Sequence, residues 1–386
     1  MFSGFKLEVN VRQNQYCLNS AVILDNKRLY HRLLQYKILI LHLSGTIYMA
    51  NLKVICVRWS MLILGLHAFS INAQDPVFSQ YYNSPIQLNP AFAGNNPAPY
   101  VSLNYRIQWP GVPSAYNTFA IGYDQFFKSN QIGLGLSLLS DSAGDGALKA
   151  TKGSGMFSYK LKVNKSTYIK GGVEIGFVQK RLDWQKLIFG DAIDPFNGNI
   201  SPGGTPYPTE ETQPGNTTRY YIDMGSGLLL YNDKFFVGGA LQHINTPKDN
   251  FLQGNLQNYN DLPIRYVVHA GWQILLSKNS SGQSFISPNV LLTGQSGFFQ
   301  INGGAYLSSG ALFGGLWYRH SGINGDAVIA SFGVRTGALK IGYSFDYTIS
   351  DLNIRQGGAH EIGIALDLKD YFPKESEIND CLLLFR

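Results

Sequence analysis

No stretch of this chain is apolar for long enough to cross a bilayer as a helix, which needs about 20 consecutive residues. Cysteine is scarce. There are three in 386 residues, and only Cys381 lies beyond residue 73, so that part of the chain has no partner for an internal disulfide. No Cys or His pair has metal-ligand spacing, and no glycine-rich phosphate loop follows a strand and opens a helix. A charge excess is missing too. The formal charge of +6 sits in residues 1–73, with eight Lys/Arg against two Asp/Glu, leaving 23 of each sign in the rest. The basic pI therefore gives no ground for a nucleic-acid partner. What is abundant is glycine (42), tyrosine (23) and phenylalanine (23).

The front of the chain reads as an export signal. Lys53 and Arg58 lead into the apolar run Trp59 to Leu66, and the small residue Ala73 precedes Gln74-Asp75-Pro76. That order is the n-region, h-region and cleavage site of a signal peptide over residues 49–73. The run is too short for an uncleaved anchor. No cysteine follows the cleavage point, so lipid attachment there is not expected. A signal peptide belongs at the start of a chain, so residues 1–48 are out of place, and Met49 or Met61 is the expected start.

Beyond the leader, period-two alternation recurs. Val101, Leu103, Tyr105, Ile107 and Trp109 alternate with Ser102, Asn104, Arg106 and Gln108. Ile132, Leu134, Leu136 and Leu138 alternate with Gly133, Gly135 and Ser137. Ile341, Tyr343, Phe345 and Tyr347 alternate with Gly342, Ser344, Asp346 and Thr348. A soluble sandwich also alternates. Here, however, the polar face is rich in glycine and charge, and the apolar face carries Tyr and Trp near strand ends. Lipid outside, a wet lumen and aromatic girdles account for all three features. The fold class expected is all-β, a transmembrane antiparallel β-barrel of about fourteen strands over residues 100–368.

Loop lengths give an independent check. Short turns fall at the even connections, such as Lys128-Ser129-Asn130, Asn164-Lys165-Ser166, Asn232-Asp233-Lys234, Ser277 to Gln283 and Thr336-Gly337-Ala338. The long connections 180–218, 243–264 and 349–359 are all odd-numbered. Outer-membrane barrels have short periplasmic turns and long outer loops. The parity therefore predicts a periplasmic N-terminus and extracellular long loops.

Two segments fall outside the strands. Residues 74–99 carry Pro76, Pro85, Pro90 and Pro97, a density that excludes a ladder strand. This segment is expected to be extended or turn-rich, lying at the periplasmic mouth or plugging the lumen. Phe78, Gln80, Tyr81, Tyr82, Asn89, Pro90 and Phe92 are its candidate anchors to the lumen or to a partner. The tail, 369–386, is expected to be a short periplasmic appendage. A polar lumen and rim cluster is expected from Arg106, Arg265, Arg335, Asp346, His360 and Glu361, with Lys170, Glu174 and Asp223 as further lumen charges. By parity Asp346 and Glu361 face inward and His360 outward. No serine nucleophile in a strained turn lies beside them, so a hydrogen-bonded rim is favoured over a catalytic set. No cofactor is implied, and the chain reads as no enzyme.

The segment Gln74-Asp75-Pro76-Val77-Phe78-Ser79-Gln80-Tyr81-Tyr82, with Pro85 and then Leu88-Asn89-Pro90-Ala91-Phe92-Ala93-Gly94, resembles the opening signature of the PorP/SprF family of Bacteroidetes. The likeness continues through Asn104-Tyr105-Arg106-Ile107-Gln108-Trp109-Pro110 and Asp141-Ser142-Ala143-Gly144. It ends with Gly342 to Ser350 and Gly357-Gly358-Ala359-His360-Glu361-Ile362. The resemblance implies a non-enzymatic outer-membrane component of the type IX secretion system, tied to gliding motility in some members. It also implies partners: a secreted cargo protein with a C-terminal sorting domain, and periplasmic components of the machinery. The loop 180–218 is the best candidate for cargo contact. The alternative is a solute channel of the porin or fatty-acid-transporter type, built from the same lumen charges.

Overall fold

The computed structural model describes residues 75–112, 115–251, 261–279, 282–322, 324–349, 356–368 and 381–385. The signal peptide and the start-site expectation lie outside the described residues. Alternation of apolar with small or polar side chains turns the rest into one sheet closed on itself. The strands are β1 (Tyr100–Gln108), β2 (Tyr116–Phe127), β3 (Ile132–Ala143), β4 (Leu148–Lys162), β5 (Tyr168–Leu182), β6 (Thr218–Tyr231) and β7 (Phe235–Gln242). Strand β8 runs as Arg265–Trp272 and Ile274–Asn279, interrupted at Gln273. Then come β9 (Gly282–Gln295), β10 (Phe298–Ser309), β11 (Leu312–Ser321), β12 (Asn324–Thr336), β13 (Leu339–Thr348) and β14 (Ala359–Asp367). Each strand pairs antiparallel with its chain neighbours, and β14 closes the ring on β1 with Ser102 opposite Ala365 and Arg106 opposite Glu361. Fourteen antiparallel strands close the barrel, as the alternation predicts.

The two faces differ as the pattern requires. Leu136, Ile175, Leu228, Leu316 and Phe332 each expose about 60–65% of their surface on the outer wall. Ser102, Asn104, Ser154, Ser158, Lys170, Glu174 and Ser344 are buried inside. Apolar-out, polar-in is the arrangement of a wall solvated by lipid.

The interior is filled by the chain itself. Residues 75–99 start at the long-loop end, beside the C-terminal residue of β9 and the first residue of β8, and descend to the short-turn end where β1 begins. The proline density produces turns as well as extended chain. Pro85–Leu88 is a single helical turn and Pro90–Phe92 a 3-10 turn, each with proline at its start, where a missing N–H costs nothing. Of the tail expected to be an appendage, residues 381–385 are described, and the rest lies outside the described residues. Cys381–Phe385 forms a 3-10 turn docked at the short-turn end, with the Cys381 N–H donating to the Asn232 carbonyl at 2.9 Å. Phe385 packs on Phe92 (4.5 Å between rings) and on Phe236 (5.1 Å). The physical reason is the apolar run Leu382-Leu383-Leu384-Phe385, which finds an apolar seat beneath Phe92.

Candidate functional site in the lumen and at its long-loop mouth

The seat of residues 75–99 is carved by glycines on the inner face. A Cβ at Gly172 on β5 would lie 2.4 Å from the Ala91 nitrogen and 2.5 Å from the Pro90 carbonyl carbon. A Cβ at Gly227 on β6 would lie 2.0 Å from Asn89 Oδ1. In that space Asn89 Oδ1 accepts from the Ala91 N–H at 2.9 Å, and its Nδ2 donates to the Leu228 and Gly239 carbonyls at 3.1 and 3.2 Å. Phe92 stacks on His269 (5.2 Å), and the Ala93 carbonyl accepts from Ser158 and Lys170 at 2.7 and 2.9 Å. Elsewhere in the bore, Tyr82 stacks on Trp317 (5.7 Å), while Lys340 Nζ lies 5.2–5.9 Å from the rings of Tyr82, Tyr306 and Phe313. Tyr81 donates to Asn289 Oδ1. Each buried aromatic contributes about 1.5–3 kcal/mol relative to exposure.

Polar clamps hold the upper part. Glu361 accepts from the Ser79 and Gln80 backbone N–H groups at 2.7 and 2.9 Å and from Asn104 at 3.0 Å. Asp346 accepts from the Ser79 hydroxyl at 2.7 Å and from Arg106 and Arg319, both at 2.8 Å. The same two arginines donate to Ser79 Oγ at 2.8 Å. Gln80 Nε2 donates to the Glu361 carbonyl at 3.0 Å. Two guanidiniums thus face two carboxylates, with one serine tying the segment into the cluster.

The expected rim cluster is therefore divided. Arg106, Asp346 and Glu361 come together. Arg265 belongs to a second cluster on β8. Arg335 is half-buried at the short-turn end, where its strand register carries it away from the others. His360 is no member of the lumen set, because it alternates with inward-facing Glu361 and so turns outward, where its Nδ1 meets the Tyr343 hydroxyl at 2.7 Å. Phe78, Gln80, Tyr81, Tyr82, Asn89, Pro90 and Phe92 are all buried inside the ring. Sequence reasoning missed Arg319, although it shares the inner face of β11 with Trp317, and it missed Ser79 and Asp75. It missed His243 as well, for which no periodic signal exists.

His243 follows the last residue of β7 with φ +56°. A non-glycine residue in that region costs on the order of 1–3 kcal/mol, and here the bend turns the imidazole inward. Nδ1 meets Asp223 at 2.8 Å and Nε2 meets Asp75 at 2.5 Å. Behind them Lys152 pairs with Glu174 (2.7 Å) and Asp223 (2.8 Å), and Arg265 lies 3.7 Å from Asp75. Burial alone would lower the His243 pKa, but the hydrogen bonds and charges of Asp223 and Asp75 push it up to about 9. Burial opposes ionisation of Asp75 too, yet His243 and Arg265 hold its carboxyl below the usual range. The raised histidine contributes stability that is complete below about pH 6.5 and lost as pH rises through about 9. The depressed aspartate contributes from just above its ordinary value of 3.8 upward. Together they predict an anchor at residue 75 that is firmest from about pH 4 to 6.5 and is weakened progressively, by on the order of 2–3 kcal/mol in all, as pH rises from about 6.5 through 9. Protease cleavage near residue 75, followed by mass spectrometry across pH, should rise across that interval. Cleavage unchanged between about pH 6 and 9 would contradict this.

Beside this cluster lies a cavity of about 170 Å³ at the long-loop end, walled by Val77, Phe78, Leu139, Leu148, Val178 and Leu262. The loop after β5 is ordered by its own carboxylates. Asp194 accepts from the Phe196 and Asn197 N–H groups, both at 2.8 Å, and Asp191 accepts from the Glu210 backbone N–H at 2.7 Å. This scaffold leaves Phe196 95% exposed, with Ile188, Ile193 and Ile200 exposed nearby in sequence. Among the described residues, no group of three His, Cys, Asp or Glu side chains is placed to hold a metal ion.

A closed ring with an apolar outer wall and a charge-paired interior defines a transmembrane β-barrel of the outer-membrane class. The chain belongs to the family of type IX secretion system membrane proteins PorP/SprF, whose family model matches residues 70–366. No curated protein sequence matches it. Among solved structures it is similar to the Ralstonia pickettii toluene transporter TbuX, at 11% identity, 73% of this chain, 92% of the other and a TM-score of 0.46. It is also similar to a Pseudomonas aeruginosa FadL homologue, at 12% identity, 72% and 91% coverage and a TM-score of 0.37. The KdgM porin matches at 9% identity, 69% and 98% coverage and a TM-score of 0.32. Likenesses this distant say nothing about what this chain binds.

Proposed function

We propose that this barrel is a non-enzymatic station of type IX secretion that receives or anchors a secreted protein by its C-terminal sorting domain at the long-loop mouth. The long loops face the cell exterior and the short turns the periplasm, where other components of the machinery dock. The observation that carries this reading is the filled lumen. The same chain occupies the bore from Asp75 to Ala93, seated on inner-face glycines. A solute channel needs a continuous wet path instead. The loop 183–217 supplies a contact surface, because exposed Phe196, Ile188, Ile193 and Ile200 give a partner apolar area to cover.

Co-purification of the barrel with sorting domains encoded beside its gene tests this. Capture is expected, and Phe196→Ser should weaken it about tenfold without moving the unfolding midpoint. Deleting residues 76–97 from an inserted barrel should halt cargo export. Unchanged export, together with steady single-channel conductance of the intact protein, would overturn the proposal in favour of a porin.

A further inference from the structure

We propose that the long-loop mouth contains a carboxylate-binding site, occupied in this structure by the chain's own Asp75 and made for a carboxylate carried by an incoming polypeptide. The inference rests on the reading that this mouth receives a secreted protein. Its ground is the balance of charges around His243. Lys152 is matched by Glu174 and Asp223, and His243 Nδ1 by Asp223. The ring's remaining nitrogen, Nε2, and the Arg265 guanidinium are both directed at Asp75. Take residue 75 away, and the wall presents two adjacent cationic donors with no carboxylate between them. Such donors bind carboxylates through charge-assisted hydrogen bonds.

Asp75 is held mainly by its side chain, through His243 and Arg265, and only weakly by its backbone. Its side chain is 30% exposed. Its backbone N–H reaches Gln295 Oε1 only at 3.3 Å. Among the described residues, Pro76, Val77 and Phe78 make no hydrogen bond, and the next fixed point is Ser79 on Glu361. Residue 75 can therefore leave without disturbing the clamp at Ser79. The donors open beside the cavity whose walls are Val77, Phe78, Leu139, Leu148, Val178 and Leu262. A carboxylate next to apolar side chains fits that pair of features. It can be a chain's terminal carboxylate or an acidic side chain between apolar neighbours. In either case Asp75 acts as an internal competitor, present at the high effective concentration of a tethered group.

Full-chain protein in detergent can be titrated with three fluorescent probes. These are N-acetyl-trileucine with a free carboxylate, the same peptide as its amide, and N-acetyl-Leu-Asp-Leu amide. Asp75→Asn and Asp75→Ala should each bind the free-acid probe at least about tenfold more tightly than the unaltered protein. Adding Arg265→Gln should remove that gain, and the trileucine amide should gain nothing. A gain for the free acid alone assigns the site to terminal carboxylates, and a gain for the Leu-Asp-Leu probe as well assigns it to carboxylates in general. Heat-modified gel mobility checks that each variant remains a closed barrel. Equal binding by altered and unaltered protein, or equal gain for the trileucine amide, overturns the site. Sorting-domain capture separates the two ideas. Capture without the Asp75 effect leaves the receiving role standing and removes the carboxylate site. The Asp75 effect without capture does the reverse.

Discussion

Introducing valine at Gly172 is expected to expel residues 85–94 from the barrel while leaving the ring intact. The new Cβ would stand 2.4–2.6 Å from the Ala91 and Pro90 backbone. No rotamer relieves a contact with main chain. The neighbouring backbone cannot yield, because Asn89 and Ala93 fix it on either side. Overpacking of this kind costs about 1–3 kcal/mol when the surroundings can shift and more when they cannot. Displacement also forfeits the burial of Phe92 and Ile86. The expected result is a folded barrel whose residues 75–99 are cut by protease and whose conductance becomes measurable in a planar bilayer. Gly155→Val is the control. It points outward, with nothing within 4 Å of the added Cβ, and should change neither readout. Protected plug residues in Gly172→Val would show that the seat is looser than its geometry.

Glu361→Gln carries the second large effect. The carboxylate is fully buried and neutralises Arg106 while accepting two backbone N–H groups of the segment. An amide removes the charge and turns a donor toward one of those N–H groups. Asp346 is then left to balance both Arg106 and Arg319. Breaking a buried ion pair on one side costs about 3–5 kcal/mol. The heat-modification midpoint should fall, and labelling of a cysteine placed at residue 77 should quicken. An unchanged midpoint would mean that the cluster is solvated from the mouth and contributes little.

The barrel was legible in the sequence because its signal is repeated. Leu134, Leu136 and Leu138 against Gly133, Gly135 and Ser137 state which face is outward, and the same alternation recurs in segment after segment. Inward Arg106, Asp346 and Glu361 follow from the same parity. Which inward residues meet is a matter of register around a ring, and parity is silent on it. Arg335 and Arg265 share a face with Arg106 yet sit at other heights or on other arcs. His243 depends on one left-handed residue past a strand end, where no period operates. The packing of Leu382 to Phe385 was not legible because its seat, Phe92 and Phe236, is assembled from distant parts of the chain.

The clamp on Ser79 also orders the molecule's assembly in time. Ser79 and Glu361 are 282 residues apart in sequence, and Glu361 lies on the strand that closes the ring against β1. Contacts so distant along the chain form slowly. The upper clamp therefore cannot form until the last strand is in place, and the seat of Phe385 is complete only with Phe92 in position. A chain truncated before β14 would lack the carboxylate that clamps Ser79.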